Sequence, residues 1–375
     1  MSTHSPIFIG SSAIISSIGE GSYANFDLLK QGVSGIQFID DPLYVKDTLP
    51  LAKIKDEFMS AWKARYQTAS RFDSMLLACL DQFKQTCDLD LSLPEVQIIL
   101  STTKGNIELL EDAGNQHQLP LTYSASLIKQ HTNNPNEVLI VSNACISGIS
   151  ATVIGRRLIQ SGEYKHVLIV GADVLTKFVI SGFSAFHALS KSPCKPFDLN
   201  RQGVTLGEAA ACLLLSCAVK SSVIISGGCI SNDANHISGP SKTGEELAYC
   251  ITKSLDEAQL KATDVDFISA HGTATPYNDE MESKAFELSQ LSHAPVFSLK
   301  GNYGHTLGAA GVLEIAIASM CLTEETLLAS KGYDELGVSG KITMSRNTVS
   351  KNLRVAVKTG SGFGGCNAAV VLETV

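Results

Sequence analysis

The sequence predicts an α/β protein, and three observations predict it. Short, nearly continuous apolar runs recur along the chain and alternate with segments of helical periodicity. The runs lack the polar alternation of half-exposed strands, so the sheets they build are covered on both faces. The 375 residues are 44% hydrophobic and include 30 glycines, a composition suited to tight βα turns and close-packed helices. That length holds either one large core or two ordinary domains.

In chain order, strands are expected at 7–9, 96–100, 138–141, 167–170 and 211–215. A second set is expected at 222–226, 267–270, 296–299, 353–359 and 368–372. Helices are expected at 147–161, 244–258, 279–291 and 308–322. Residues 49–93 are less regular and read as a partly helical insertion or cap. Two stretches echo each other. VLIVSNACISGISATVIGRRLI and VFSLKGNYGHTLGAAGVLEIAI both read strand, small-residue turn, long helix. The echo implies duplicated halves, 1–220 and 221–375, that divide near Lys220 and meet at a shared site.

Net charge is −8, from 29 basic and 37 acidic residues, and no basic stripe is visible, which argues against nucleic acid as a partner. Ten cysteines lie singly inside apolar runs without a CxxC pair, so neither a disulfide framework nor a cysteine-built zinc site is expected. The first residues lack a basic n-region, and no apolar run approaches the ~20 residues of a membrane span. A cytoplasmic location is expected.

Three residues carry the chemistry. Cys145 lies in SNACISG, between a strand and a helix expected to begin near Ser147. A helix N-terminus offers free N–H groups and partial positive charge, which lower a thiol's pKa. A single cysteine is more often a small core residue; the turn and the two histidine motifs set Cys145 apart. His271 lies in SAHGTAT and His305 in GNYGHTLGAAG, where small residues leave room beside the rings. Two such histidines could donate to one carbonyl oxygen, or one could act as base. Metal ligation is the other use of the pair, but no HExxH spacing is present, and no metal is expected. GSGFGGCN, from 360 to 367, is a glycine-rich turn whose N–H groups could join that of Cys145 in an oxyanion hole.

These segments resemble the β-ketoacyl-[acyl-carrier-protein] synthases, the condensing enzymes of fatty acid and polyketide synthesis. SNACISG resembles the nucleophile motif, and SAHGTATPYNDEMES and SLKGNYGHTLGAAGVLE the two histidine motifs. The block GFSAFHALSKSPCKPFDLNRQGVTLGEAAACLLL and the final GSGFGGCNAAVVLE complete the resemblance, which runs from about residue 138 to the C-terminus. It implies a thiolase-like fold: two duplicated βαβαβαββ halves in an αβαβα layered sandwich. Cys145 would take the acyl chain, and His271 and His305 would promote loss of CO₂ from a malonyl thioester. Lys300, Asp279 and Glu314 match supporting residues. Cys145 and Phe363 match the oxyanion hole, with Phe363 also a gate. Thr273, Thr275 and Ser238 match positions along the phosphopantetheine arm. No cofactor is implied beyond that arm, which the acyl carrier protein brings. Implied partners are acyl carrier protein, malonyl carrier protein, and a second subunit in a homodimer or heterodimer.

A histidine at position 305 separates the elongating synthases from the CoA-primed ones, which carry Asn there. The resemblance also has departures. Asn143 and Ile146 replace smaller residues beside the nucleophile, and STTKGNIELLED replaces a glycine-rich segment of the acyl pocket. Ile146 is expected to shape that pocket. The departures suit a specialised aryl-polyene or type II polyketide pathway. A non-catalytic chain-length-factor-like subunit is the competing class, and retention of Cys145 argues against it. A cysteine hydrolase fits less well, since it needs one histidine with an orienting carboxylate. Lys63, Arg65 and Arg71 are candidate cations for an acidic carrier, or simply a solvated helix face.

Overall fold

The computed structural model describes residues 5–41, 48–233 and 240–375. The main strands are β1 (Phe8–Ser16), β2 (Val96–Ser101), β3 (Leu139–Val141), β4 (His166–Asp173) and β5 (Ala209–Ser216), then β6 (Val223–Asn232), β7 (Phe267–Ser269), β8 (Pro295–Phe297), β9 (Val355–Gly362) and β10 (Cys366–Thr374). The helices that matter for the site are α1 (Arg71–Thr86), α2 (Ser147–Gln160), α3 (Lys177–Ala185), α4 (Glu245–Ala258), α5 (Pro276–Leu288) and α6 (Ala310–Thr323).

The first five strands lie in the order β1-β5-β4-β2-β3, and the second five in the order β6-β10-β9-β7-β8. Taken as first to fifth strand of each set, both orders are 1-5-4-2-3. The directions repeat too: the first two pairings in each set are antiparallel and the next two parallel. The sets join edge to edge where Phe8 of β1 pairs with Ile224 of β6. The echo seen in the sequence is therefore also an echo of topology.

Helices fill three layers around these sheets. α1 covers the outer face of the first set, and α4, flanked by α5, that of the second. Between the sheets lie α2 and α6, the two helices of the sequence echo. Every residue of α6 from Ala310 to Leu322 is buried, as expected of a helix apolar on all sides. The result is an αβαβα sandwich. Among the described residues no helix is long and apolar enough to cross a membrane.

The stretch expected to be a cap corrects that expectation. α1 is a core helix, with Phe72, Met75, Leu76, Cys79, Leu80 and Phe83 at 0% exposure against β1, β4 and β5. Ser70 caps it by accepting from the Asp73 N–H at 2.9 Å. Its apolar positions recur at helical spacing, and a sheet face needed covering. Only the helix Asp56–Tyr66, packed on α1, lies further out.

Candidate active site

α2 and α6 touch backbone to backbone near their first turns. A Cβ on Gly148 would lie 2.6 Å from the Val312 nitrogen, and one on Gly311 only 2.5 Å from the Ile149 nitrogen. Two glycines thus let the helices meet, and each helix starts just after a candidate residue: Cys145 before α2, His305 before α6. Closely crossing helices bring the two halves' chemistry to one point.

Cys145 is presented by a sharp turn. Ala144 sits at φ 44°, in the left-handed region that costs a residue with a Cβ energy. The turn is closed by Ser147, whose hydroxyl accepts from the Asn143 N–H at 2.8 Å and donates to the Ala144 carbonyl at 2.7 Å. The third glycine-rich turn comes equally close, since a Cβ on Gly362 would lie 3.0 Å from the Cys145 nitrogen.

The ligand atoms of Cys145, His271 and His305 lie within 4.8 Å of one another, and the two imidazoles meet edge to face with centroids 5.1 Å apart. Such a set could also hold a soft metal ion, and among the described residues it is the group with that spacing. The main chain of His305 is tied to the 205–207 segment, its N–H donating to Thr205 O at 2.7 Å and its carbonyl accepting from the Gly207 N–H at 3.0 Å. Its Nδ1 accepts from the Leu307 N–H at 3.3 Å, so in the neutral ring Nε2 carries the proton. Among the described residues that buried Nε2 has no hydrogen-bond partner, which leaves a donor free for an acceptor in the cavity. The His271 N–H and the Gly272 N–H both donate to Glu282, at 2.9 and 2.6 Å.

Burial holds both imidazoles well below the usual histidine range, and the cations Lys300 and Lys358 push the same way. Both rings are therefore neutral at pH 7. Burial pushes the Cys145 thiol up, to about 12, against the pull of Lys300 and the Phe363 N–H. This reverses the lowered thiol pKa expected from the sequence. Removal from water costs the thiolate more than the helix start returns.

Lys300 donates to Glu314 at 2.6 Å, and Lys358 donates to the other Glu314 oxygen at 2.7 Å. Burial pushes the Glu314 carboxyl up, but the two ammonium groups outweigh it and hold it below the usual range. Asp279 takes the Phe197 N–H at 2.6 Å and the Ala274 N–H at 3.2 Å, which fixes the 273–275 loop. Burial raises its carboxyl to about 7. Lys300 and Glu314 thus form a buried ion pair, and Asp279 anchors the loop that follows His271.

A cavity of about 450 Å³ opens over the trio, and Thr273, Thr275 and Phe363 line it. The two threonine hydroxyls are 2.9 Å apart. Phe363 packs on Phe183 and Phe186 of the α3 region, with centroids 5.5 and 5.4 Å away. Ser238 lies outside the described residues; Pro240 lines the cavity wall. Ile146, expected to shape the acyl pocket, turns instead into the core, at 0% exposure.

Of the three candidate docking cations, Arg71 is already engaged. Its guanidinium bonds the buried Glu208 at 2.6 Å and Asp56 at 2.8 Å. Arg65 is exposed and pairs with Asp81 at 2.8 Å. Lys63 borders a separate open cleft of about 960 Å³.

Several residues escaped the sequence reading. Asp173, fully buried, receives the Gly308 N–H at 2.7 Å and the Thr103 N–H at 3.0 Å, tying the loop after His305 to the end of β2. Glu282 is one helical turn beyond Asp279, a spacing that could have revealed it. Lys358 stands as a lone charge in the apolar run VAVKTG, which was a signal for a buried partner.

Comparison with known proteins gives the family of the chain. The profile of the β-ketoacyl synthase N-terminal domain matches residues 122–220, and that of the C-terminal domain residues 222–334, together more than half of the chain. The chain belongs to the β-ketoacyl synthase family. It is 33% identical to the tetracenomycin polyketide synthase ketoacyl synthase alpha subunit of Streptomyces glaucescens over 63% of this chain and 59% of that protein. It is 30% identical to a polyketide biosynthesis malonyl-ACP decarboxylase of Bacillus subtilis, over 63% of this chain and 60% of that one. The chain thus spans about 60% of the length of these curated relatives. Among solved structures, the ishigamide ketosynthase/chain length factor superposes with a TM-score of 0.89 at 25% identity, covering 100% of both chains. A complex of the ketosynthase ApeO with its chain length factor ApeC from Xenorhabdus doucetiae also gives 0.89, at 24% identity over 100% of this chain and 99% of that one. The thiolase-like ketosynthase fold is therefore established.

Proposed function

We propose that this chain is an elongating β-ketoacyl synthase, which joins a Cys145-bound acyl group to malonyl carrier protein in fatty acid or polyketide synthesis. The observation that carries this reading is the floor of the cavity. There a thiol and two neutral imidazoles lie within 4.8 Å, and among the described residues the His305 Nε2–H has no partner.

The first step is transfer. The Cys145 sulfur attacks the acyl thioester, the carbon–sulfur bond to the phosphopantetheine arm breaks, and the thiol proton ends on the departing sulfur. The Cys145 and Phe363 N–H groups hold the developing oxyanion. The second step is decarboxylation. The malonyl thioester oxygen accepts from the His305 Nε2–H and from His271 as the carbon–carbon bond to the carboxylate breaks and CO₂ leaves. Neutral donors suit an enolate that must remain reactive. The enolate carbon then attacks the Cys145 thioester, and the released thiolate takes a proton from solvent.

Thr273 and Thr275, with Ser238, are assigned to the pantetheine arm, and Phe363 to gating. Lys300, Glu314 and Asp279 hold the histidine loops. No step draws on a cofactor other than the arm itself. The two halves are 1–220, with the nucleophile, and 221–375, with both histidines. The partners are an acyl carrier protein and a second subunit. The ketosynthase–chain length factor pairs of the same fold favour a related subunit. Named relatives in polyketide synthesis, together with Asn143 and the 101–112 segment, favour a specialised pathway over ordinary elongation. A diffusible carrier suits the cytoplasm. Retention of Cys145 speaks against a chain-length-factor role for this chain.

Intact-mass spectrometry after incubation with acyl carrier protein tests the reading. The wild-type chain gains one acyl group and Cys145→Ala gains none. Undiminished labelling of the variant overturns the assignment. CO₂ release without any acylation of Cys145 would make the chain a decarboxylase, as one relative is named.

A further inference from the structure

Lys358 is a fully buried lysine outside the stretch matched by the family's C-terminal domain, which ends at residue 334. Its Nζ has four acceptors: Glu314 at 2.7 Å, the carbonyls of Ser269 and Ala270 at 3.1 Å each, and the Thr359 carbonyl at 2.7 Å. A neutral amine would offer only two protons and turn its lone pair on an acceptor. An all-acceptor shell calls for the ammonium form with three donors.

These bonds have a direction in the fold. Ser269 and Ala270 immediately precede His271, whereas Glu314 lies on α6, the helix that follows His305. The next residue, Thr359, donates to Glu282 at 3.0 Å, and Glu282 holds the His271 and Gly272 N–H groups. The Lys358–Thr359 pair therefore secures His271 from both sides, through the carbonyls before it and through the carboxylate on its N–H. Glu314 has one carboxylate for two lysines, Lys300 and Lys358; burial lowers the Lys358 pKa against the pull of Glu314, and the acceptor shell is what favours its ammonium form.

We infer that Lys358 is a positioning residue of this site: it clamps the end of β7 to α6, fixing the His271–His305 pair, and supplies the second cation behind it. The inference rests on the proposed decarboxylative reaction. Among the described residues, the other titratable groups around the pair and its lysines include Cys145 and Cys366, Lys300, Glu314, Cys194 and Tyr303, Asp279 and Glu282 of α5, and Asp173 of β4. All are retained when Lys358 alone is changed.

The test uses the full chain with Lys358→Met and Lys358→Gln. Gln keeps a hydrogen-bond donor and loses the charge. The readout is the pH profile of CO₂ release from malonyl carrier protein, beside the extent of Cys145 acylation. Loss of one buried cation makes the histidines easier to protonate, so the acid limb should move to higher pH by on the order of one unit in both variants. Lys358→Met should in addition lose roughly 10- to 100-fold in rate at pH 7, and Gln less. Acylation should change little. An acid limb that stays in place in both variants overturns the inference, as does loss of the fold in both, which would make Lys358 a stability residue. A wild-type chain that releases no CO₂ fails the proposed function itself. That outcome is distinct from active wild type with unshifted variants.

Discussion

The crossing of α2 and α6 makes a quantitative prediction through Gly148→Ala. The new methyl would lie 2.6 Å from the Val312 nitrogen, 2.9 Å from Gly311 Cα and 3.0 Å from the Gly311 carbonyl carbon. Ordinary carbon contacts begin at about 3.5 Å, so the helices must part by roughly 0.9 Å. Backbone atoms receive the clash, and they cannot rotate away as a side chain would. Overpacking of this kind costs about 1–3 kcal/mol, while replacing glycine inside a helix returns about 1 kcal/mol. Stability therefore falls by no more than about 2 kcal/mol, and the chain still folds. The effect on chemistry should be far larger. Cys145 and His305 ride on the two helix starts, and a misplacement of about 1 Å can cost on the order of 100-fold in rate. Circular dichroism melting should show a folded variant with a modestly lowered midpoint. Product formation from acyl and malonyl carrier proteins should drop about 100-fold. A folded Gly148→Ala chain with wild-type turnover would refute the claim that this contact sets the site's geometry.

Other outcomes follow from the same geometry. His305→Asn or His271→Ala should lower release of ¹⁴CO₂ from malonyl carrier protein by at least about 100-fold, the scale of losing one oxyanion donor, while self-acylation falls much less. Survival of ¹⁴CO₂ release in both variants would show that the roles are wrong. Burial raises the Cys145 thiol to about 12, so its iodoacetamide alkylation should climb steadily from pH 7 to 9. A plateau near pH 7 would reveal a stabilised thiolate instead. Because both histidines are held below their ordinary value, the acid limb of decarboxylation should lie below about pH 6.5. A limb at or above that value would mean that the rings are not held neutral.

Much of the fold was legible because apolar runs mark buried strands whatever their partners. The expected runs at 96–100, 211–215 and 353–359 appear as strands Val96–Ser101, Ala209–Ser216 and Val355–Gly362. The strands run longer because backbone pairing continues through small and polar residues that break an apolar pattern. The helix expected at 279–291 starts earlier, at Pro276, where proline fits a first helical turn. The 49–93 region is hard to read because its core helix follows a shorter, charged helix, Asp56–Tyr66, and precedes the polar 87–93 segment. At the site, Cys145, His271 and His305 stood out by their small-residue loops, a purely local signal. What holds them was harder to read. The Glu314 bridge between Lys300 and Lys358, and the Asp173 bond to Gly308, join residues far apart in the chain. The thiol's pKa was misjudged because depth of burial is not a property of the local turn. Arg71 reads as a surface cation in the sequence because its buried partner, Glu208, lies 137 residues away.

The central claim is that Cys145 carries an acyl group that malonyl carrier protein collects with loss of CO₂. The most direct measurement follows one acylated sample by intact mass after malonyl carrier protein is added. The account predicts that the adduct leaves Cys145 while a carrier-bound β-ketoacyl chain two carbons longer forms, one CO₂ for each. An adduct that persists, or that leaves only as free acid, would contradict it.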